Sequence, residues 1–199
     1  MIVPCDHNGI IMASEIVKKG GTVVFPTDTV YGIGCDPFNS EAVRTIYRIK
    51  GRKESKQLPV LGFSISDISK IAIFDELSKR FATKFWPGPL TLILGIKEER
   101  ITKSLGLDEK IAVRVPSHPC VLELLKECKL LVGTSANTSG QPSSTDSHEI
   151  IKKIEGYDIL LDGGKIPNSV ESTIIEVIGS KFRVIRKGKV SEKELLALV

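Results

Sequence analysis

The amino-acid sequence predicts an α/β fold in which helices flank a twisted, mixed β-sheet, within a single domain over residues 1–199. Short β-branched runs alternate with amphipathic helical stripes through the first half of the chain, a pattern typical of α/β proteins. Near the end, two strand-like runs are separated only by Gly179 and Ser180, and this spacing predicts a hairpin. A hydrophobic content of 41% and a charged content of 26% are ordinary for a globular domain.

The first half of the chain alternates predicted helices with predicted strands. In order, these are a helix over 9–19, a strand over 22–25, a helix over 40–51 with Ser40 as its N-cap, a strand over 60–63, a helix over 75–85 and a strand over 90–96. Ile10, Ala13 and Val17 lie on one stripe of the first helix. Pro87 and Pro89 end the third helix, because proline is not tolerated inside a helix.

The second half begins with a polar segment, 97–110, that shows no clear periodicity. The predicted elements after it are a strand over 111–115, a helix over 118–126, a strand over 130–133, a helix over 147–154, a strand over 159–161, a loop over 162–169, strands over 172–177 and 181–185, and a helix over 191–199. The strand over 111–115 is predicted to be buried, yet it carries Arg114. Because an unpaired buried guanidinium is costly, we expect Arg114 either to reach solvent or to meet an anion.

Composition excludes several classes of protein. No apolar run approaches the roughly 18 residues of a membrane span, and no signal pattern begins the chain, so we expect a cytoplasmic protein without a membrane partner. The four cysteines, Cys5, Cys35, Cys120 and Cys128, are scattered and form no CxxC pair, which predicts ordinary free thiols. Together with His118, the last two match no standard metal-ligand spacing.

Polar side chains follow two predicted strands. Thr27, Asp28, Thr29 and Tyr31 come after the strand over 22–25, and the run TSANTSG follows the strand over 130–133. Two such strand ends in one sheet are expected to face the same cavity and bind a polar ligand. Hydroxyl-rich turns that cap their own backbone are the alternative interpretation.

Glycines and a serine within these polar runs permit further predictions. Gly32 and Gly34 indicate backbone turns or a close approach that larger residues would obstruct. Ser135 lies in no GxSxG motif, so we interpret it as a hydrogen-bond donor and not as a nucleophile.

Positive charge is concentrated in one segment of the chain. The net charge is only +4, but residues 44–56 contain six basic side chains and one acid, Glu54. Such a segment suits a polyanion, either a triphosphate or an RNA backbone, and a solvated basic loop is the alternative.

Seven short motifs stand in a recognisable order between residues 21 and 188. They are PTDTVYGIG, KGR with a following lysine and LP, WPGPLT, RVPSHP, TSANTSG, STI and RKG. In this order the chain resembles the YrdC-like family of threonylcarbamoyl-AMP synthases, in its short, single-domain form. The resemblance implies a nucleotidyltransferase that joins L-threonine, bicarbonate or CO2, and ATP into threonylcarbamoyl-AMP, releasing pyrophosphate. A separate complex would then use the product to modify an adenosine of tRNA.

The resemblance also implies site residues and a large, positively lined cavity. The residues that match positions around threonine are Thr29, Tyr31, Arg114, Ser135 and Ser172. Those that match positions around ATP are Lys50, Arg52, Lys56, Asn137, Thr145 and Arg186, of which the first three would stabilise charge during the reaction. No residue matches a covalent nucleophile. Mg2+ is expected to accompany ATP, and no protein ligand for it is identified.

The chain departs from the family pattern after the basic segment. Many members carry a histidine or a similar polar group there, whereas this chain has Leu61, Gly62 and Phe63.

Two other functions compete with the synthase interpretation. A non-catalytic module that binds double-stranded RNA or tRNA would use the same basic concavity. A carbamoyl-transfer domain of hydrogenase-maturation proteins is disfavoured, because the zinc-finger and acylphosphatase segments found there are missing.

Overall fold

The computed structural model describes residues 1–167 and 170–199. Its helices are α1 (His7–Lys18), α2 (Ser40–Lys50), α3 (Ile65–Ile68), α4 (Glu76–Phe85), α5 (Glu99–Leu105), α6 (Pro119–Cys128), α7 (Ser147–Lys153) and α8 (Glu192–Leu196). Its strands are β1 (Ile2–Pro4), β2 (Val23–Phe25), β3 (Gly32–Gly34), β4 (Val60–Gly62), β5 (Ala72–Ile73), β6 (Leu90–Ile96), β7 (Lys110–Arg114), β8 (Leu130–Val132), β9 (Thr134–Ser135), β10 (Ile159–Asp162), β11 (Thr173–Ile178) and β12 (Lys181–Arg186). The last two residues of the predicted loop over 162–169 lie outside the described residues.

The strands form two mixed sheets, where the sequence predicts one. A five-stranded sheet has the order β1-β10-β2-β3-β9, and a seven-stranded sheet has the order β12-β11-β6-β7-β4-β8, with β5 paired to β6. Both contain parallel and antiparallel pairs. The predicted hairpin is confirmed, since β11 and β12 pair in antiparallel fashion across Gly179 and Ser180.

The two sheets meet where β3 passes the end of β8. A Cβ placed on Gly34 would lie 1.9 Å from the carbonyl oxygen of Val132, and the Val132 amide donates to the carbonyl of Cys35 at 2.9 Å. The close approach predicted at Gly34 is therefore present. The predicted turn is wrong, because residues 32–34 form a buried strand.

Local capping explains where the main helices begin and end. Asn39, and not Ser40, is the N-cap of α2, and its side chain accepts the amides of residues 41 and 42. Gly51 ends the same helix with a left-handed φ of 54°, a conformation that glycine adopts without strain. Asp75 and Ser78 form a reciprocal capping box at the start of α4.

The hydrophobic core has two parts. The larger cluster includes the fully buried Tyr31, Ile46 and Phe81. The smaller cluster packs α1 and α6 against the five-stranded sheet and has Phe25 near its centre. Leu61 also belongs to this smaller cluster, so the seven-stranded sheet contacts it as well.

Several sequence-based expectations are corrected by the fold. Cys5 and Cys120 form a disulfide, so these two are not free thiols, whereas Cys35 and Cys128 are. The two half-cystines are 115 residues apart in sequence, and only the packing of α6 beside the end of β1 brings their Cα atoms to 5.9 Å. The polar segment over 97–110 contains helix α5. No helix in the described part of the chain is long and apolar enough to cross a membrane.

Candidate active site

A cavity of about 230 Å³ is enclosed by side chains from both sheets. The loop after β2 contributes Thr27 and Thr29, and β9 contributes Thr134 and Ser135. The opposite wall is a face of the seven-stranded sheet, with these apolar side chains: Leu61, Ile93, Ala112, Ile174 and Ile185. The two hydroxyl-bearing strand ends predicted from sequence therefore face one cavity.

The cavity wall carries a net positive charge. Among the described residues, the charged side chains that line it are Arg52, Arg114, Arg186 and Glu171. The predicted positive lining is thus present. The volume is smaller than the large cavity that the resemblance implies, and it lies below the roughly 300–1,000 Å³ of typical small-molecule pockets.

Arg114 is buried at one end of the cavity and held on three sides. Its Nε donates to the carbonyl of Gly88 at 2.9 Å, its Nη1 to Thr29 Oγ1 at 3.3 Å, and its Nη2 to Asp28 Oδ1 at 2.6 Å. The sequence-based expectation that this arginine meets an anion is therefore confirmed, and the anion is Asp28. Burial lowers the pKa of the Arg114 guanidinium, while the charge of Asp28 opposes that shift.

Asp28 links Arg114 to the start of α6. Its Oδ1 also accepts the amide of Ser117 at 2.9 Å. Its Oδ2 is buried and has no hydrogen-bond partner within the described residues. A buried carboxylate oxygen without a donor is uncommon in folded proteins, because its desolvation is uncompensated.

Arg186, on β12, organises the other charged group, and β6 and β11 lie between it and the strand of Arg114. Its Nη1 pairs with Glu171 Oε2 at 2.5 Å, and its Nη2 donates to Ser172 Oγ at 3.0 Å. Ser172 Oγ lies 3.0 Å from Thr91 Oγ1, so hydroxyls continue from Arg186 along the cavity wall. Glu171 also accepts a hydrogen bond from Ser143 at 2.7 Å.

Lys50 supports one wall of the cavity from behind. Its Nζ donates to the carbonyl of Ser135 and, at 2.7 Å, to the carbonyl of Asn137. Asn137 Nδ2 in turn donates to the carbonyls of Thr138 and Gln141, at 3.0 and 2.6 Å. Burial lowers the pKa of Lys50 to about 8. In this structure Lys50 and Asn137 therefore shape the loop after β9 and do not line the cavity.

Comparison with known proteins identifies the family. The family model Sua5_yciO_yrdC, described as "Telomere recombination", matches residues 15–188. The chain belongs to the Sua5/YciO/YrdC family. The resemblance drawn from the sequence motifs is thereby confirmed.

Individual relatives agree with this assignment. A protein of Bacillus subtilis named threonylcarbamoyl-AMP synthase is 34% identical over 198 residues, which cover 96% of this chain and 56% of the relative. The structure of Pyrococcus abyssi Sua5 complexed with L-threonine matches with a TM-score of 0.92 and 32% identity, over 100% of this chain and 61% of that one. Escherichia coli YciO matches with a TM-score of 0.87 and 27% identity, over 96% and 94%. The chain thus spans little more than half the length of the Bacillus and Pyrococcus relatives.

Five of the eleven motif residues carried over from the Sua5/YciO/YrdC family do not line the cavity: Lys50 and Asn137, described above, and Tyr31, Lys56 and Thr145. The Tyr31 hydroxyl donates to the carbonyl of Gly164 at 2.7 Å, and its ring lies in the core, so this side chain does not line the cavity and its contact with threonine stays a prediction. Lys56 is exposed, and its carbonyl accepts from Arg52 Nε at 3.2 Å. Thr145 is half-buried, and its carbonyl accepts the amide of Ile166 at 2.8 Å.

The remaining motif residues do reach the cavity. These are Thr29, Arg52, Arg114, Ser135, Ser172 and Arg186. Sequence reasoning missed three participants: Asp28 as the partner of Arg114, and Thr91 and Glu171 as parts of the wall. Thr91 and Glu171 adjoin family motifs, since Thr91 ends WPGPLT and Glu171 precedes STI, and that adjacency was the available signal.

A protein-only metal centre is not found in the described part of the chain. No three histidine, cysteine, aspartate or glutamate side chains there are grouped so that they could hold a metal ion. Glu171 is the one carboxylate among the described cavity residues, and Mg2+ characteristically combines one or two carboxylates with phosphate oxygens and water. A magnesium ion that entered together with a phosphate ligand would meet this single carboxylate, which is paired with Arg186 and Ser143.

Proposed function

We propose that this chain is an L-threonylcarbamoyladenylate synthase, a nucleotidyltransferase that makes threonylcarbamoyl-AMP and pyrophosphate from L-threonine, bicarbonate or CO2, and ATP. One observation carries the proposal: a single cavity combines a buried, hydrogen-bonded Arg114 with Arg52 and Arg186, and hydroxyl groups lie between them. The names of the Bacillus and Pyrococcus relatives support it.

The amino acid is assigned to the Arg114 end of the cavity. A guanidinium donates in a planar fork that suits a carboxylate, and Thr29 and Ser135 offer hydroxyls for the substrate's polar groups. The ammonium of threonine first loses a proton to solvent, and the neutral amine then attacks the carbon of CO2 and, with loss of a second proton, becomes a carbamate. No covalent enzyme intermediate is needed, so the protein's task is to position the reactants.

The nucleotide is assigned to the end that contains Arg52 and Arg186. A carbamate oxygen attacks the α-phosphate of ATP, and the bond to pyrophosphate breaks, so negative charge builds on the leaving group. Arginines placed in advance stabilise that charge. Because the cavity holds only about 230 Å³, we expect the nucleotide to extend beyond it, past Arg52, towards a groove that contains Arg44 and Arg48.

Magnesium would accompany ATP and be held by phosphate oxygens, water and Glu171. Bound there, Mg2+ neutralises phosphate charge. The product would pass to a separate complex that modifies an adenosine of tRNA. These partners are part of the proposal.

Pyrophosphate release provides the test. With threonine, bicarbonate, ATP and magnesium present, we expect release that falls strongly when threonine is omitted. Equal release with and without threonine would contradict the proposal. A module that only binds RNA predicts no turnover and an RNA affinity that decreases steeply with salt.

The division of the site is tested by separate variants. Arg114→Lys should raise the KM for threonine more than that for ATP, because lysine cannot reproduce the guanidinium fork. Arg52→Ala should do the reverse. Lys79→Ala, on the exposed surface of α4, is the control for a loss of positive charge away from the cavity. Parallel effects of the first two variants on both substrates would refute the division.

A further inference from the structure

Two arginines of the cavity are paired with carboxylates, Arg186 with Glu171 and Arg114 with Asp28. The second pair suggests what determines ligand selectivity at the amino-acid end. We propose that Asp28 makes the Arg114 end of the cavity selective for zwitterions, so that an α-amino acid binds and a hydroxy acid of the same shape without the amino group is rejected. This inference rests on the proposed function, because it concerns the amino-acid substrate of that same site.

The Arg114–Asp28 pair is buried and electrically neutral. The two side chains are only 8% and 11% exposed, and Asp28 Oδ1 lies 2.6 Å from Arg114 Nη2. Nη1 points towards Thr29, which lines the cavity together with Arg114 itself. Each of Nη1 and Nη2 has a second N–H beyond these hydrogen bonds, so the guanidinium can still donate to a ligand while its positive charge is already compensated.

Charge balance then decides which ligand fits. A simple carboxylate would bring the buried group of guanidinium, Asp28 and ligand to a net charge of −1, whereas a zwitterion brings its own positive charge and leaves the group neutral. An uncompensated buried charge is strongly unfavourable. The arginine thus recognises the ligand's carboxylate, and the aspartate requires its ammonium.

Neighbouring charges do not supply the missing positive charge. Arg186 is within electrostatic range of Arg114, but it is paired with Glu171 at 2.5 Å. His118, at the N-terminus of α6, is close enough to Asp28 to feel its charge, and burial lowers the pKa of its imidazole. Its Nδ1 accepts the amide of Cys120, which requires an unprotonated Nδ1. Arg52, the third arginine of the cavity wall, is held at the other end by the carbonyls of Lys56 and Gln57. The ligand's ammonium is therefore the remaining cation that can approach the Arg114–Asp28 pair.

The unpartnered oxygen of Asp28 strengthens this reading. Oδ1 accepts from both Arg114 and Ser117, while Oδ2 has no donor in the described structure. Oδ2 therefore keeps an unsatisfied acceptor, which favours a positive charge placed within a few ångströms of it. Contact between Asp28 and the ligand is not required for this effect.

Calorimetric binding of two ligands to the full chain tests the proposal. L-threonine and 3-hydroxybutyrate share the carboxylate, the hydroxyl and the methyl group, and differ by the amino group. We expect the wild-type protein to bind threonine at least about tenfold more tightly, because a buried unmatched charge costs that much or more. A wild-type protein that binds both equally would overturn the inference without any variant.

Asp28→Asn separates charge from shape. Asparagine keeps an oxygen that can accept from Arg114 and Ser117, but it removes the negative charge. The preference for threonine should fall by about tenfold, with threonine binding weakened and 3-hydroxybutyrate binding strengthened. Glu76→Gln, on α4, is the matched control, since Glu76 has an 83% exposed side chain and its loss changes the net charge equally.

The outcomes distinguish this inference from the function on which it rests. If the wild type binds neither ligand, the assignment of an amino acid to this end of the cavity fails, and the inference fails with it. If the wild type prefers threonine and a folded Asp28→Asn protein keeps the same preference, only the inference fails. In that case Asp28 would merely hold Arg114 in place.

Discussion

Removing one partner of the Arg114–Asp28 pair should destabilise the protein strongly, and removing both should cost far less than the sum. Arg114→Ala leaves the carboxylate of Asp28 buried without its counter-charge, and Asp28→Ala does the same to the guanidinium. Breaking a buried ion pair from one side costs about 3–5 kcal/mol. The whole domain is expected to have a free energy of unfolding of about 5–15 kcal/mol, so each single change removes a large share of it.

The double variant shows how much of each single variant's loss in unfolding free energy comes from the charge that is left without its partner. Arg114→Ala with Asp28→Ala removes both charges, so no uncompensated ion stays buried. The remaining cost is the lost packing and the hydrogen bonds to Gly88 and Ser117, whose backbone groups then lose a partner. We expect the two single free-energy changes to exceed the double change by at least about 2 kcal/mol, within the range of coupling seen for residues in contact.

Urea unfolding provides the measurement. Trp86 is the single tryptophan of the chain and is buried, and its indole donates to the carbonyl of Leu90, so its fluorescence reports the packing beside Gly88. Free energies of unfolding are compared for the wild type, both single variants and the double variant. Additivity within about 0.5 kcal/mol would refute the reasoning, because it would show that the two charges do not depend on each other.

Three other predictions concern the second charged group, the buried lysine and the disulfide. In calorimetry without magnesium, Glu171→Gln should strengthen the binding of ATP a few-fold, because it frees Arg186 and removes a carboxylate that repels phosphate; unchanged or weaker binding of the metal-free nucleotide would contradict this. The pKa of Lys50 is lowered from 10.5 to about 8. Between these two values the unfolded state binds more protons than the native state, so the contribution of Lys50 to the free energy of unfolding rises with pH from about 8 to 10.5. Lys50→Met should therefore flatten the rise in stability over that window, and an identical pH profile would refute the shift. Reducing the Cys5–Cys120 disulfide, which spans 115 residues, should lower the free energy of unfolding by about 2–4 kcal/mol, and a Cys5→Ser protein should be insensitive to the reductant.

Local sequence was sufficient for much of the fold. The strand over 90–96 is found with the predicted bounds, and the helix that ends at Phe85 begins one residue after its predicted start, at Glu76. Apolar periodicity, proline breaks and caps act within a few residues, so their information is present in the sequence itself. Where periodicity was weak, as over 97–110, helix α5 was missed.

The sequence by itself also determined the family and most of the cavity. Seven motifs in order predicted the Sua5/YciO/YrdC family. Six of the eleven predicted ligand residues line one cavity: Thr29, Arg52, Arg114, Ser135, Ser172 and Arg186. Strand ends that carry hydroxyls were enough to predict that these side chains share one cavity, because residues that follow neighbouring strands lie at the same edge of the sheet.

Only the tertiary structure decided which distant groups meet. Arg114 and Asp28 are 86 residues apart, and Lys50 and Asn137 are 87 apart, yet each pair is in contact. The division into two sheets and the Cys5–Cys120 disulfide were settled in the same way. Such pairings follow from how complete helices and strands pack around the core. Because many partners would satisfy any one local pattern, the charge state of the cavity became visible only in three dimensions.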